Sequence, residues 1–332
     1  MLEWRQVTII LFFFAVCSGI ILYSNKISVE DEFDQSKLGA KVKAPEQESY
    51  FKVASLYLIK KDQDQLYLTS DELIMDNLSK RSSFIKPKGF FYTKDRDQVF
   101  YESLRGLYRP DDSAVIFQEE VDIKTGESFL KSDLATYMMN KDFFISEGNV
   151  QTETKDIKTG DRILIDSPLV HAWPKSKRSD YEGGVKGQIK RKRPYEPDVF
   201  FSSNSIYLDM NLSLIRLEGE VDIKRQDVVA TSRRGEIYLD NQSKKLKYYT
   251  LFDDVKVIEK LKINENQLIE RKAFGEKLEG IISEDKLILT GSPKVLQEDD
   301  VVKGNKITLR ENNEVIEVED ASSNFTVKKK GP

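Results

Sequence analysis

One short phrase recurs along the sequence at intervals of 29 to 38 residues, and this repeat constrains the fold more than any other feature. Each copy alternates apolar and polar residues, carries a Gly or an acidic residue at its centre, and then alternates again. Alternation with a period of two is typical of β-strands, and the central residue predicts a kink or bulge where two short strands meet. These centres, called pivots below, are Glu119, Gly148, Gly183, Gly219, Asp253, Gly291 and Asp320, with a weaker copy at Pro87.

A second short strand precedes most pivot segments, and a polar turn joins the two strands. Asn211, Asn241 and Asn312 lie in three of these turns, where Asn tolerates the left-handed backbone and bonds its own main chain. Each unit is therefore predicted to be a β-hairpin with a continuation. About eight such units predict an all-β chain of stacked hairpins, either a jelly-roll-like sandwich or a solenoid.

The apolar positions of successive units fall on one face, and their alignment predicts a long apolar trough. The same alternation is also typical of a closed sandwich core, so both interpretations stay open at this point. The predicted lining residues are Val115, Phe117, Val121, Ile123, Phe144, Val150, Ile215, Leu217, Val221, Ile223, Tyr249, Leu251, Val255, Val257, Leu287 and Leu289.

Composition excludes several classes of function. The chain has 52 basic and 56 acidic residues and a formal net charge of −4, which argues against a nucleic-acid partner. Cys17 is the one cysteine and His171 the one histidine, so a Cys/His zinc site cannot be assembled. We expect no metal, no cofactor and no catalytic residues. A carbohydrate-active enzyme would need a concentrated set of carboxylates, which the sequence does not offer.

The N-terminal segment predicts a membrane anchor over residues 1–24. Residues 7–23 carry no charge and would span about 25 Å as a helix, with Val7, Ile10, Phe13, Ile20 and Tyr23 among the anchoring side chains. Arg5 precedes this run and acidic residues follow it, which places the N-terminus in the cytosol. A cleaved signal peptide and a lipoprotein signal at Cys17 are the alternatives. The polar residues 25–48 predict a flexible tether.

Several phrases resemble those of the lipopolysaccharide-transport bridge proteins. LEGEVDI (217–223), ATSRRGEIYLDNQSKKLKYY (230–249) and LTGSPKVLQEDDVVKGNKITLRENNEVIEVEDA (289–321) resemble the LptA/OstA family, and SEGNVQTE (146–153) resembles the LptC family. The resemblance implies an LptC-like β-jelly roll over residues 49–175 and an LptA/OstA-like one over residues 199–332. A basic join at 176–198 connects them, either as a solvated loop or as a contact for lipid phosphates.

The resemblance also implies a function. It implies a twisted, V-shaped, open β-jelly roll that holds the acyl chains of lipopolysaccharide and carries them across the periplasm from the inner membrane toward the outer membrane. The implied partners are lipopolysaccharide, an inner-membrane ABC transporter complex, and an LptA-like or outer-membrane assembly protein joined through edge strands, the last one around residues 324–327. The alternative function is a structural or adhesive envelope protein that assembles through sheet edges without lipid.

Overall fold

The computed structural model describes residues 48–60, 63–92, 98–126, 128–155, 160–241, 246–264, 267–298, 300–310 and 316–324. The predicted anchor, almost all of the predicted tether and residues 325–327 lie outside these ranges. Within the described part, no helix is long enough and apolar enough to cross a bilayer.

The described residues confirm the all-β prediction, because β-strands account for most of them. Two short 3-10 turns, Pro174–Ser176 and Ile282–Glu284, interrupt the strands. The strands are β1 Glu48–Lys60, β2 Gln63–Asp76, β3 Ser82–Ile85, β4 Lys88–Tyr92, β5 Gln98–Glu102, β6 Arg105–Arg109, β7 Ala114–Lys124, β8 Ser128–Met138, β9 Phe143–Lys155, β10 Arg162–Trp173, β11 Arg178–Lys190, β12 Val199–Asp209, β13 Leu214–Arg225, β14 Val228–Leu239, β15 Leu246–Asn264, β16 Gln267–Ile281, β17 Lys286–Thr290, β18 Lys294–Gln297, β19 Asp300–Lys303, β20 Lys306–Arg310, β21 Ile316–Glu319 and β22 Ser322–Asn324.

All of these strands belong to one antiparallel sheet. From β7 to β16, each strand pairs with the next along the chain, as stacked hairpins require. Beyond β16 the ladder divides, because β17, β20 and β21 continue one half of it while β18, β19 and β22 continue the other half.

The pivots predicted from the repeat are confirmed. All seven have positive φ, from 55° at Asp320 to 91° at Gly183, and Lys86, beside Pro87, also has a positive φ of 49°. The register between neighbouring strands shifts at the same level, for example between Gln118 and Val121 on β7. Left-handed backbone favours Gly, Asn and Asp, which explains why the pivots were visible in the sequence.

The row of pivots creases the sheet into two facing layers. The layers are joined through the strands themselves, since each long strand contributes one segment to each layer. The front layer contains residues 121–124, 150–155, 185–190, 221–225 and 255–264 among others, and the back layer contains residues 114–118, 143–147, 178–182, 214–218 and 246–252 among others.

The apolar core between the layers divides into two clusters. One extends from Leu66 to Phe144, the other from Val150 to Leu309, and Leu130 and Ala172 pack against both. The segment predicted as a basic join contains β11, which pairs along its length with β10 and β12. The change from one cluster to the other occurs near residue 147. β11 continues the ladder on both sides of its register shift between Glu182 and Val185.

Candidate functional site

The sixteen predicted lining residues all lie between the two layers. Every one of them is buried, with at most 7% of its surface exposed. Val115 and Phe117 belong to the first cluster, whereas the residues from Val150 onward belong to the second. The alternation in the sequence therefore selected buried positions on β7, β9, β13, β15 and β17, and their role in lining a lipid groove stays a prediction.

Aromatic side chains connect the layers in the N-terminal cluster. The rings of Phe91 in front and Tyr137 behind stack with centroids 4.4 Å apart, and Tyr101 in front lies 4.4 Å from Phe117 behind. The Tyr101 hydroxyl donates to the Tyr67 carbonyl oxygen at 2.8 Å, so the buried polar end of this ring is satisfied. Burial raises the pKa of Tyr101 well above its usual range, which keeps the phenol neutral.

The C-terminal cluster is mainly aliphatic. Its buried aromatic rings among the described residues are those of Tyr181, Phe201 and Tyr249, and the Tyr249 ring lies over Gly280 on the neighbouring strand. A Cβ at Gly280 would come within 2.2 Å of the Tyr249 ring, so only glycine fits below it. Dispersion contacts between aliphatic side chains and a hydrocarbon chain need no fixed orientation, whereas stacked aromatic rings do.

The structure differs from the expected open trough along these lining residues. The walls contact each other through the aromatic pairs, and the Tyr181 hydroxyl behind lies 3.1 Å from Thr152 Oγ1 in front. Apolar surfaces lower their free energy by leaving water, so two facing apolar walls on a creased sheet close on one another. Alternation specifies which side chains face inward, and it does not specify how far apart the layers lie.

Two arginines bridge the layers at the rim opposite the crease. Arg225 ends β13 on the front rim, and its Nη2 donates to Asp285 Oδ1 on the back rim at 2.8 Å. Arg271, on the front rim of β16, donates through Nη2 to the carbonyl oxygen of Arg310 on the back rim at 3.2 Å. These bonds join residues that the ladder places at opposite ends of the strands, so the rims meet there.

The Arg271 guanidinium is also paired within the front layer. Its Nε donates to Glu259 Oε2 at 3.0 Å, and both side chains are at most 1% exposed. The sequence analysis missed Arg225, Glu259 and Arg271, because charged residues at strand ends are ordinarily solvated. A weak signal exists, since Glu259 and Arg271 both fall at inward positions of the alternating pattern.

A second missed feature is a row of buried serines at the crease. The hydroxyls of Ser103, Ser167, Ser203 and Ser232 each donate to the carbonyl oxygen two residues further along, at 2.8 to 3.1 Å. Each hydroxyl thereby has a hydrogen-bond partner close by in the chain, as a buried polar group requires. These serines recur at roughly the period of the pivots, which is the signal that could have revealed them.

Among the basic residues at 176–198, Arg178, Arg191 and Arg193 form ion pairs within the protein. Arg191 is buried and pairs with Glu196 and Asp161. Arg178 Nε donates to Asp209 Oδ2 at 2.8 Å. Burial of Asp209 raises its pKa, but the hydrogen bonds from the Leu212 amide and from Arg178 outweigh that effect and hold the pKa below its usual range.

The outer side of the crease differs from the interior in chemistry. A cavity of about 720 Å³ there is lined by charged side chains that include Lys86, Glu102, Asp122 and Lys131. Within the described ranges, no group of three or more His, Cys, Asp or Glu side chains is arranged to hold a metal ion. Hydrocarbon would therefore find apolar surroundings in the interior and not in this cavity.

One family model matches part of the chain. Residues 201–315 match the family described as LptA/(LptD N-terminal domain) LPS transport protein, which is a family of transport proteins and not of enzymes. The matched segment contains the pivots Gly219, Asp253 and Gly291 and both rim arginines, Arg225 and Arg271. No curated protein matches this chain.

One solved structure that the chain resembles is the crystal structure of LptH from Pseudomonas aeruginosa, described as the LptA homologous periplasmic component of the conserved lipopolysaccharide transport device. The two are 15% identical with a TM-score of 0.35, and the match covers 39% of this chain and 95% of LptH.

Proposed function

We propose that this chain carries lipopolysaccharide across the periplasm by holding its acyl chains between the front and back layers. The proposal is supported by a family match and an apolar interior that fall in the same segment of the chain. Residues 201–315 match a lipopolysaccharide-transport family, and the described residues of the same segment contribute a long, mainly aliphatic interior between the two layers. No bond is broken in such a process, which agrees with a transport protein.

The energetics favour acyl chains in this interior once the layers separate. A buried CH₂ group contributes about 0.8 kcal/mol, so a chain of a dozen carbons gains roughly 10 kcal/mol on leaving water. Separation need not expose the walls to water, because the acyl chain replaces one apolar neighbour with another. The crease permits this movement, since each strand is continuous through its pivot and the ladder bonds run between strands and not between layers.

The sequence supports two further parts of the proposal, the membrane anchor and the LptC-like N-terminal part. The uncharged residues 7–23 anchor the chain in the inner membrane, beside the ABC transporter that supplies the lipid, and residues 49–175 form the LptC-like part. The terminal strands β1 and β22 join neighbouring bridge proteins by strand addition, which directs the lipid toward the outer membrane.

The proposal is tested by placing a photo-crosslinking amino acid at inward-facing and at outward-facing strand positions. Leu217 and Leu251 face the interior, whereas Arg216 and Glu218 flank Leu217 and face outward. In cells that make lipopolysaccharide, we expect crosslinked lipid at Leu217 and Leu251, and at Phe117 in the N-terminal cluster, but not at Arg216 or Glu218. Crosslinking at the outward positions alone would refute an interior path.

The tight burial of the lining residues favours one second candidate, a structural envelope protein with a permanently closed core. That candidate predicts a protein purified without lipid and no interior crosslinks. Mass spectrometry of the detergent-solubilised full chain separates the two functions, since a transport protein retains acylated lipid in a defined ratio.

A further inference from the structure

At the rim where Arg225 contacts Asp285, the positively charged Arg225 side chain lies at the edge of the apolar interior. Arg225 lies at the end of β13, at the same level as Val228, Glu259 and Arg271, and this row forms the front rim. Asp285 follows the 3-10 turn Ile282–Glu284 on the back rim, next to Lys286 at the start of β17. The buried aliphatic residues Ile223 and Val257 lie two positions inside the front rim.

The two partners differ in how firmly they are held. The Arg225 side chain is 6% exposed, whereas Asp285 is 62% exposed and occupies a left-handed turn with φ of 48°. A carboxylate on an exposed turn moves away at little cost, but a guanidinium at the edge of an apolar interior requires a negative charge close by. The geometry therefore makes Asp285 the exchangeable member of the pair.

We propose that Arg225 is a headgroup site for an acylated amphiphile that carries a phosphate next to its acyl chains, with Asp285 occupying the site as an internal anion until the lipid arrives. This inference rests on the proposed transport function. When acyl chains part the layers, the Arg225–Asp285 bond must break, because it spans the gap. A phosphate at the boundary between chains and headgroup then lies at the level of the rim and takes the place of the carboxylate.

The bridge from Arg271 to the Arg310 carbonyl oxygen has a different role. Arg271 keeps its partner Glu259 within the front layer when the layers separate, so it loses only the bond to the Arg310 carbonyl oxygen. Arg271 therefore carries its own counter-charge in both states. When the layers separate, the Arg225–Asp285 ion pair is broken, whereas the Arg271–Glu259 ion pair is kept.

The inference is tested by measuring whether the protein prefers one of two lipids that have the same acyl chains and differ only in their phosphates. The full chain in detergent, with a photo-crosslinker at Leu251, is mixed with equal amounts of lipid A and of the same lipid with both phosphates removed. Mass spectrometry of the crosslinked products gives the capture ratio. One charge-assisted contact of ordinary strength corresponds to about a tenfold preference for the phosphorylated lipid.

Three substitutions separate the possible outcomes. We expect Arg225→Gln to lower the capture ratio toward equality, Arg225→Lys to retain part of the preference, and Asp285→Asn to speed capture while keeping the preference. Arg216→Gln is the matched control, because Arg216 pairs with Glu236 on the outer face. It should leave the ratio unchanged, and thermal unfolding checks that each variant is folded.

The failures of the two proposals are distinguishable. If both lipids are captured and Arg225→Gln has the same ratio as the unsubstituted protein, the headgroup site is refuted and transport stands. If neither lipid crosslinks to Leu251 in any variant, the interior path itself is wrong, and the headgroup site falls with it.

Discussion

Replacing the buried pair Glu259–Arg271 provides a quantitative test of the rim. Arg271→Met alone leaves the Glu259 carboxylate buried without its guanidinium partner, and Glu259→Leu alone does the converse. Both side chains are at most 1% exposed, so water cannot compensate in place. Breaking a buried pair from one side costs about 3–5 kcal/mol of unfolding free energy.

The double substitution should cost much less than the sum of the two single ones. Replacing both members with apolar side chains of similar volume removes both desolvation penalties, and the outcome is often near neutral. The bond from Arg271 to the Arg310 carbonyl is lost as well, which adds about 1 kcal/mol. We therefore expect a net cost of about 1 kcal/mol for the double variant and a coupling of several kcal/mol.

Urea unfolding of the full chain, followed by far-UV circular dichroism, measures these free energies. The slope with urea must be equal in all four proteins for the comparison to hold. Additive costs, with the double variant as destabilised as the two single variants together, would show that the two side chains do not interact in solution. The rim geometry described above would then be wrong.

Three further predictions follow from the interior and the turns. Leu217→Ala should lower the free energy of unfolding by about 2.7–5 kcal/mol because it leaves a cavity in a fully buried position, while Arg216→Ala on the outer face should change it by less than about 0.5 kcal/mol, both measured by urea unfolding. Gly280→Val should destabilise the fold by about 1–3 kcal/mol or more through its clash with the Tyr249 ring, and Tyr249→Leu in the same chain should recover part of the loss. Asp209 has a lowered pKa in the folded protein, so its stabilisation is complete above about pH 4 and is lost as pH falls through the folded-state pKa; Asp209→Asn should flatten this acid limb of the stability curve, and an unchanged limb would contradict the assignment.

The pivots and the inward face of each strand were predictable from local sequence. Positive φ restricts residue choice at a single position, so Gly148 and Asp253 mark the crease without any knowledge of the partner strands. Alternation likewise assigns Ile215 and Leu217 to the interior, because the side-chain period of a strand is two. Both signals lie within a few neighbouring residues.

The distance between the layers and the rim bridges were not predictable in this way. The Arg225–Asp285 contact joins residues 60 positions apart, one at the end of β13 and the other in the turn before β17. It depends on how the twist of the sheet offsets one rim against the other. No local pattern encodes that offset, and charged residues such as Arg225 and Glu259 are typical of solvated strand ends. The aromatic bridge from Phe91 to Tyr137 depends on the same offset.

The stepwise pairing of β7 to β16 sets the reach of the molecule along the stack. Each strand adds about 4.8 Å in the direction of the ladder, so one hairpin adds about 10 Å. Because each hairpin contacts chiefly its neighbours and repeats the same crease, gain or loss of one unit changes the length of the stack without altering its cross-section. If the proposed function holds, duplication of a short stretch of sequence would lengthen the path along which the protein carries lipid.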